Sequence, residues 1–250
     1  MYLCDTGSGK STQLPQIASD FWWEMREKTG QEGGSIVLAV QTRAAAEALF
    51  MRIRKEVDAD YEGQKLVAVR TRTQHTGSSS APILCITHGF LVQLLSDKIL
   101  ERCSVLILDE VQQRGEHLSF LLAVAHMELQ RPGTNLKLVL MGLNNHIELV
   151  QSYFACEPGL ITVAGRPFDV IRQEHYMAAP PEVDVDKKIQ DIVWRLLQRE
   201  MNESNGCILV FVKGQSEIDY IISRIKSGRT QWEALPYSRE TARNVIQRIN

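Results

Sequence analysis

The chain has 250 residues, 44% hydrophobic and 23% charged, which suffices for one full domain and part of a second and excludes a disordered or fibrous chain. Its formal net charge of −2 excludes a generally basic nucleic-acid coat, so any contact with a phosphate backbone must be local, in a groove. Five cysteines (Cys4, Cys85, Cys103, Cys156, Cys207), odd in number and never spaced Cys-x-x-Cys, imply neither zinc nor disulfides; with no membrane-length apolar run and no signal-peptide pattern, a soluble intracellular protein is expected, cytoplasmic or nuclear.

In chain order, Met1 to Leu3 reads as the remnant of a strand that should be central and buried, which predicts a truncated start. A helix is predicted over 11–28; its Phe21, Trp22 and Met25 read as core or domain-contact groups. Ile36 to Val40 is a strand, and Arg43 to Val57 a helix with Ala46, Leu49, Phe50 and Ile53 on one side. Leu66 to Val69 and Ile83 to Thr87 read as strands separated by the polar loop Thr76-Gly77-Ser78-Ser79-Ser80, and a short helix follows Gly89. Val105 to Leu108 is a buried strand, Glu116 to Gln130 a helix, and Lys137 to Met141 the next strand. This alternation predicts an α/β fold with a parallel sheet, helices on both faces, and ligands at the carboxyl ends of the strands. Ile161 onward, through Pro180-Pro181, reads as a connection. Beyond it come a helix with Ile189, Ile192, Val193, Leu196 and Leu197 inward, a strand Cys207 to Val212, a helix Gln215 to Ile225 and a strand Trp232 to Leu235. The expected domains are therefore 1–172, a linker 173–186, and a partial second domain 187–250.

Two stretches carry chemistry. Cys4-Asp5-Thr6-Gly7-Ser8-Gly9-Lys10-Ser11-Thr12 reads as a phosphate cradle: Gly7 and Gly9 let the backbone amides curl inward, the helix start adds its positive end, Lys10 reaches terminal phosphates, and Ser11 offers a hydroxyl to Mg2+. The first position, normally Gly, is Cys4. Asp109-Glu110, at the end of an apolar strand, supplies the second half of a nucleotide site, Asp109 for the Mg2+ shell and Glu110 to orient and deprotonate water. Several strand and helix units separate the two stretches, which allows their strands to be neighbours in one sheet. The scattered histidines lack metal spacing, and the Arg52, Arg54, Lys55 cluster reads as a solvated helix face.

Beyond the generic motifs, Thr6 to Gln16, with its Gln-Leu-Pro-Gln tail, resembles the first motif of the DEAH-box (DEAH/RHA) RNA helicases of superfamily 2. Asp109-Glu110-Val111-Gln112-Gln113-Arg114 is similar to their Asp-Glu-x-His-Glu-Arg. Gln41 and Arg43 stand where the family has Gln-Pro-Arg-Arg, and Thr87 and Gly89 where it has Thr-x-Gly, segments that in the family touch the RNA backbone. Gly165-Arg166-Pro167-Phe168 looks like the turn leaving the first RecA-like domain, and Phe211 to Ile218 like the opening of the second. The resemblance implies ATP and Mg2+ as cofactors, single-stranded or structured RNA as partner, and a RecA-like domain followed by an incomplete second one. It also implies a coupling role for Gln112, Arg114, Gly142 and Asn144. Departures stand beside it: Gln112 replaces His and cannot titrate, and Met141-Gly142-Leu143-Asn144 stands where the family has Ser-Ala-Thr, losing two hydroxyls. Ala44 replaces a second Arg, and the second-domain arginines have no counterpart before Asn250, which leaves room for an activating protein partner. Two other readings stay open: a degenerate nucleotide-dependent RNA or protein clamp with little unwinding, and a phosphoryl-transfer or transport ATPase built on the same loop.

Overall fold

A computed structural model of the chain describes residues 2–4, 9–29, 34–60, 66–78, 80–113, 115–142, 152–154, 159, 161–163, 169–174, 185–203, 206–228 and 231–237. Contacts divide the chain into a unit of residues 1–170 and a unit of residues 171–250.

The first unit is organised by Tyr2–Cys4 (β1), Ser35–Val40 (β2), Val67–Arg70 (β3), His75–Thr76 (β4), Ile83–Thr87 (β5), Cys103–Leu108 (β6), Lys137–Gly142 (β7) and Ile161–Val163 (β8). Among the described residues they form one sheet in the order β4-β3-β5-β2-β6-β7-β1-β8. The inner strands are runs of β-branched and aliphatic residues with no polar face, the pattern of strands covered on both sides. In β2, Ile36, Leu38 and Val40 pack with Ala46, Phe50 and Ile53 of Arg43–Asp60 (α2) and with Leu14 and Ala18 of Lys10–Thr29 (α1). Val37 and Ala39 face the other way, onto Leu91 of His88–Leu94 (α3) and Leu118, Leu121 and Ala125 of Glu116–Leu129 (α4). The two-residue alternation of a strand thus feeds two helical layers. The expected face of α2 is the buried one, whereas Phe21 of α1 is exposed and the side chains of Trp22 and Met25 lie outside the described residues.

Four expectations change. The sheet is mixed rather than parallel, because β4 pairs antiparallel with β3 through a tight turn in which Thr71 N–H donates to the Gln74 carbonyl at 2.8 Å. A two-residue strand shows no periodicity, so it was hidden in a polar stretch. β1 lies second from an edge rather than centrally, flanked by β7 and β8. β6 and β1 are not neighbours, since β7 runs between them. Ile161–Val163 is a strand rather than the start of a connection, finding its ladder partner in β1.

The second unit contains Val185–Glu203 (α5) and Gln215–Ser227 (α6). Arg224 of α6 lies 4.8 Å from the Trp194 ring centroid on α5, and the Trp232 indole N–H donates to the Met201 carbonyl at 3.0 Å. Leu197 and Ile225 are buried. The strands expected at Cys207–Val212 and Trp232–Leu235 do not form among the described residues. An apolar run becomes a strand only when a neighbour completes its hydrogen-bond ladder, and composition does not supply the neighbour.

No helix among the described residues is long and apolar enough to cross a membrane.

Candidate functional site

Register sets the site. Cα partners run Leu3 with Gly142, Leu108 with Leu140, Ala39 with Leu108, and Val40 with Thr87. The strands that carry the predicted residues therefore end along one edge of the sheet, where ligands of open α/β sheets bind. At that edge Gly9 adopts φ +81°, a conformation open to glycine at little cost, and its carbonyl accepts from the N–H groups of Thr12 and Gln13 at 3.1 and 2.9 Å, starting α1. Lys10 follows, 5% exposed.

Residues far apart in sequence meet here. The Ser11 hydroxyl donates to Asp109 Oδ2 at 2.5 Å, and Lys10 Nζ stands 3.7 Å from Glu110 Oε1. Asp109 is 4% exposed, and burial pushes its carboxyl up; the Ser11 hydrogen bond works against that push. Its other oxygen accepts the Glu110 N–H at 2.8 Å. A hydroxyl and a buried carboxylate, both hard oxygen donors turned to one point, suit Mg2+, and a divalent cation would offset the desolvation of Asp109.

Glu110 has φ +56°, in the left-handed region that glycine enters freely and that other residues seldom adopt. Its Oε2 accepts from the side-chain amides of Gln112 and, at 3.3 Å, of Gln113. The following turn is closed by Gln113 N–H to the Glu110 carbonyl at 2.8 Å and tied to β7 by Val111 N–H to the Met141 carbonyl at 3.0 Å. A Cβ placed on Gly142 would stand 2.9 Å from Gln112 Oε1 and 3.0 Å from Val111 Cγ2.

On the neighbouring strand ends, Gln41 and Arg43 are exposed, and Arg43 Nη1 donates to Thr73 Oγ1 at 3.3 Å. Thr87 is buried at the head of α3, and Gly89 is half-buried. A Cβ on Gly89 would stand 3.0 Å from the His117 ring. His88, 4% exposed, donates from Nε2 to the Ala39 carbonyl at 3.1 Å, the same oxygen that accepts the Asp109 N–H at 3.0 Å. Burial holds the His88 imidazole below its ordinary range; the Ala39 bond opposes this, and His117 adds to it.

Of the predicted residues, Asp5, Thr6, Gly7, Ser8, Arg114, Asn144 and the Gly165 to Phe168 turn lie outside the described residues, as does the side chain of Cys4. Two residues gain roles that spacing did not give them. Gln16 donates to the Thr12 carbonyl at 2.9 Å and to Glu56 Oε2 at 2.6 Å, tying α1 to α2 beside Pro15, and the bond to Gln16 is the main cause holding the Glu56 carboxyl down. Gln113 braces Glu110; the glutamine run itself was the one signal available in the sequence.

Residues 1–140 match the profile of the DEAD/DEAH box helicase family. The chain belongs to this family. This helicase-family chain is 29% identical over 220 residues to the probable ATP-dependent RNA helicase DHR2 of Saccharomyces cerevisiae, covering 88% of the chain and 28% of the relative. It is 30% identical over 244 residues to the probable ATP-dependent RNA helicase DHX34 of Homo sapiens, covering 93% of the chain and 20% of the relative. The chain thus spans less than a third of the length of these relatives. Among solved structures, the DEAH/RHA helicase HrpB of Escherichia coli superposes with a TM-score of 0.72 at 22% identity, covering 99% of this chain and 30% of that one. That likeness is one of fold, and the first unit of this helicase-family chain is a RecA-like α/β domain with a mixed sheet and flanking helices. Family membership implies a phosphate-loop NTPase that depends on ATP and Mg2+.

Proposed function

We propose that the chain carries the ATP-binding RecA-like domain of a DEAH-box RNA helicase, residues 1–172, followed by a linker over 173–186 and part of a second RecA-like domain over 187–250. The whole protein couples ATP hydrolysis to binding and remodelling single-stranded or structured RNA inside the cell. The observation that carries this reading is the meeting of Lys10 and Ser11 with Glu110 and Asp109, at 3.7 and 2.5 Å. Residues 4–12 hold the phosphates, and Ser11 and Asp109 would hold Mg2+, which would supply positive charge to offset that of the phosphates. Lys10 turns from Glu110 to the terminal phosphate and leaves one Glu110 oxygen to accept a proton from water. Gln41, Arg43, Thr87 and Gly89 hold the RNA backbone on the adjoining strand ends.

A specific observation favours a second reading. Gln112 and Gly142 replace the residues through which the family resemblance implies coupling, so a nucleotide-dependent clamp that binds without unwinding, or that turns over only with an activating protein partner, stands beside the first. ATP hydrolysis by the chain, with and without single-stranded RNA and beside Lys10→Ala and Glu110→Gln, separates them. RNA-stimulated turnover lost in both variants supports the helicase reading. Nucleotide binding abolished by Lys10→Ala without turnover supports the clamp, and no nucleotide binding at all overturns both.

A further inference from the structure

We propose that Gln112 is the positioning residue for Glu110, and that the absence of a side chain at Gly142 is what allows it to be; this deepens, and rests on, the nucleotide-site reading above. The two departures at 112 and 142 are contacts of each other. The Gln112 amide points its nitrogen at Glu110 Oε2 and lays its oxygen over the bare Cα of Gly142, where a Cβ would come within 2.9 Å of Gln112 Oε1. The same Cβ would press on Val111 Cγ2 at 3.0 Å, in a turn pinned to β7 by the bond from Val111 N–H to the Met141 carbonyl at 3.0 Å. Backbone on both sides is fixed, so the amide is what would have to move.

Glu110 needs such a brace. Its φ of +56° aims the side chain from a backbone that most residues avoid, and its two oxygens are held by different groups. Lys10 faces Oε1, while Gln112, with Gln113 at 3.3 Å, holds Oε2. When Lys10 swings to a phosphate, the first hold is lost and the amide hold remains. Glu110 is then left with one fixed oxygen and one free oxygen, the arrangement a base needs to receive a proton from a defined direction. An amide holds across the whole neutral pH range, since it carries no titrating proton.

The test uses the full chain, 15N-labelled, and follows the side-chain amide resonances of Gln112, assigned by their loss in Gln112→Leu. Glu110→Ala and Gly142→Ala should each move these resonances to solvent-like positions, while Ser119→Ala, on the exposed surface of α4, leaves them in place. Steady-state turnover adds the second readout: Gln112→Leu and Gly142→Ala each lower kcat on the order of tenfold with KM for ATP within about twofold, and the double variant falls no further than either single one. Resonances that are solvent-like in the unaltered chain, or unmoved by Glu110→Ala, overturn the proposal. Should Gly142→Ala fail to fold, Glu110→Ala alone still decides the contact. Absent nucleotide binding sinks the nucleotide-site reading while leaving the amide result standing, so the two failures are distinguishable.

Discussion

Replacing Ser11 with alanine tests the innermost contact of the site. Asp109 is 4% exposed, and of the two donors described on its carboxylate, the Ser11 hydroxyl at 2.5 Å and the Glu110 N–H at 2.8 Å, the substitution removes one. A hydrogen bond to a charged group contributes about 1.5–3 kcal/mol. Ser11 is itself only half-buried, so water can replace part of what is lost, and the low end, about 1.5 kcal/mol, applies. For a unit of this size that lowers Tm by roughly 3–6 °C. Thermal unfolding in EDTA reads this directly. Adding Mg2+ and ADP gives the second arm: at a hundredfold excess over Kd the unaltered chain should gain about 2.7 kcal/mol, and Ser11→Ala distinctly less at the same concentrations. Ser11→Thr, which keeps the hydroxyl, should resemble the unaltered chain in both arms. The reasoning fails if Ser11→Ala matches the unaltered chain in EDTA and also in its response to Mg2+ and ADP.

Two further outcomes follow from the packing. The depressed imidazole of His88 means that between its folded pKa and the ordinary value of 6.5 the unfolded chain binds the extra proton, so stability is full above that value and falls as pH drops through it. Urea unfolding of the unaltered chain should lose stability below about pH 6.5 more steeply than His88→Gln, by at most about 1.4 kcal/mol per pH unit, and equal slopes would refute it. Gly77 and Gly133 both have positive φ, but a Cβ on Gly77 meets the Val67 carbonyl oxygen at 2.6 Å whereas one on Gly133 meets nothing within 4 Å. Gly133→Ala should thus cost about 1 kcal/mol from backbone strain alone and Gly77→Ala about 2–3 kcal/mol, with equal costs counting against the close approach.

Much of the first unit is legible in the sequence because its strands are buried on both faces: β2, β5 and β6 are apolar runs that periodicity finds. The α2 stripe follows from helical spacing, and its buried face is the predicted one. Strand order is not legible, since nothing in Cys4 or Leu108 records that β7 is laid between them. The short strands β4 and β8 escape for another reason: two or three residues hold too little pattern, and their pairing is decided by β3 and β1. Conversely, Cys207–Val212 has the composition of a strand and lacks a described partner. In the site, residue types and spacing point to Lys10, Ser11, Asp109 and Glu110. The left-handed backbone of Glu110 and the contact of Gln112 with Gly142 are three-dimensional facts without a local signature.

The Ala39 carbonyl gives the edge of the sheet an unusual economy. An amide oxygen has two lone pairs, and here one serves the ladder to Asp109 while the other serves the His88 ring. Ala39 itself is a methyl in the core, invisible to any search for reactive groups. Yet displacing its peptide plane would loosen the acidic pair on one side and the head of α3 on the other in a single movement, so the segments flanking β2 share one mechanical reference point.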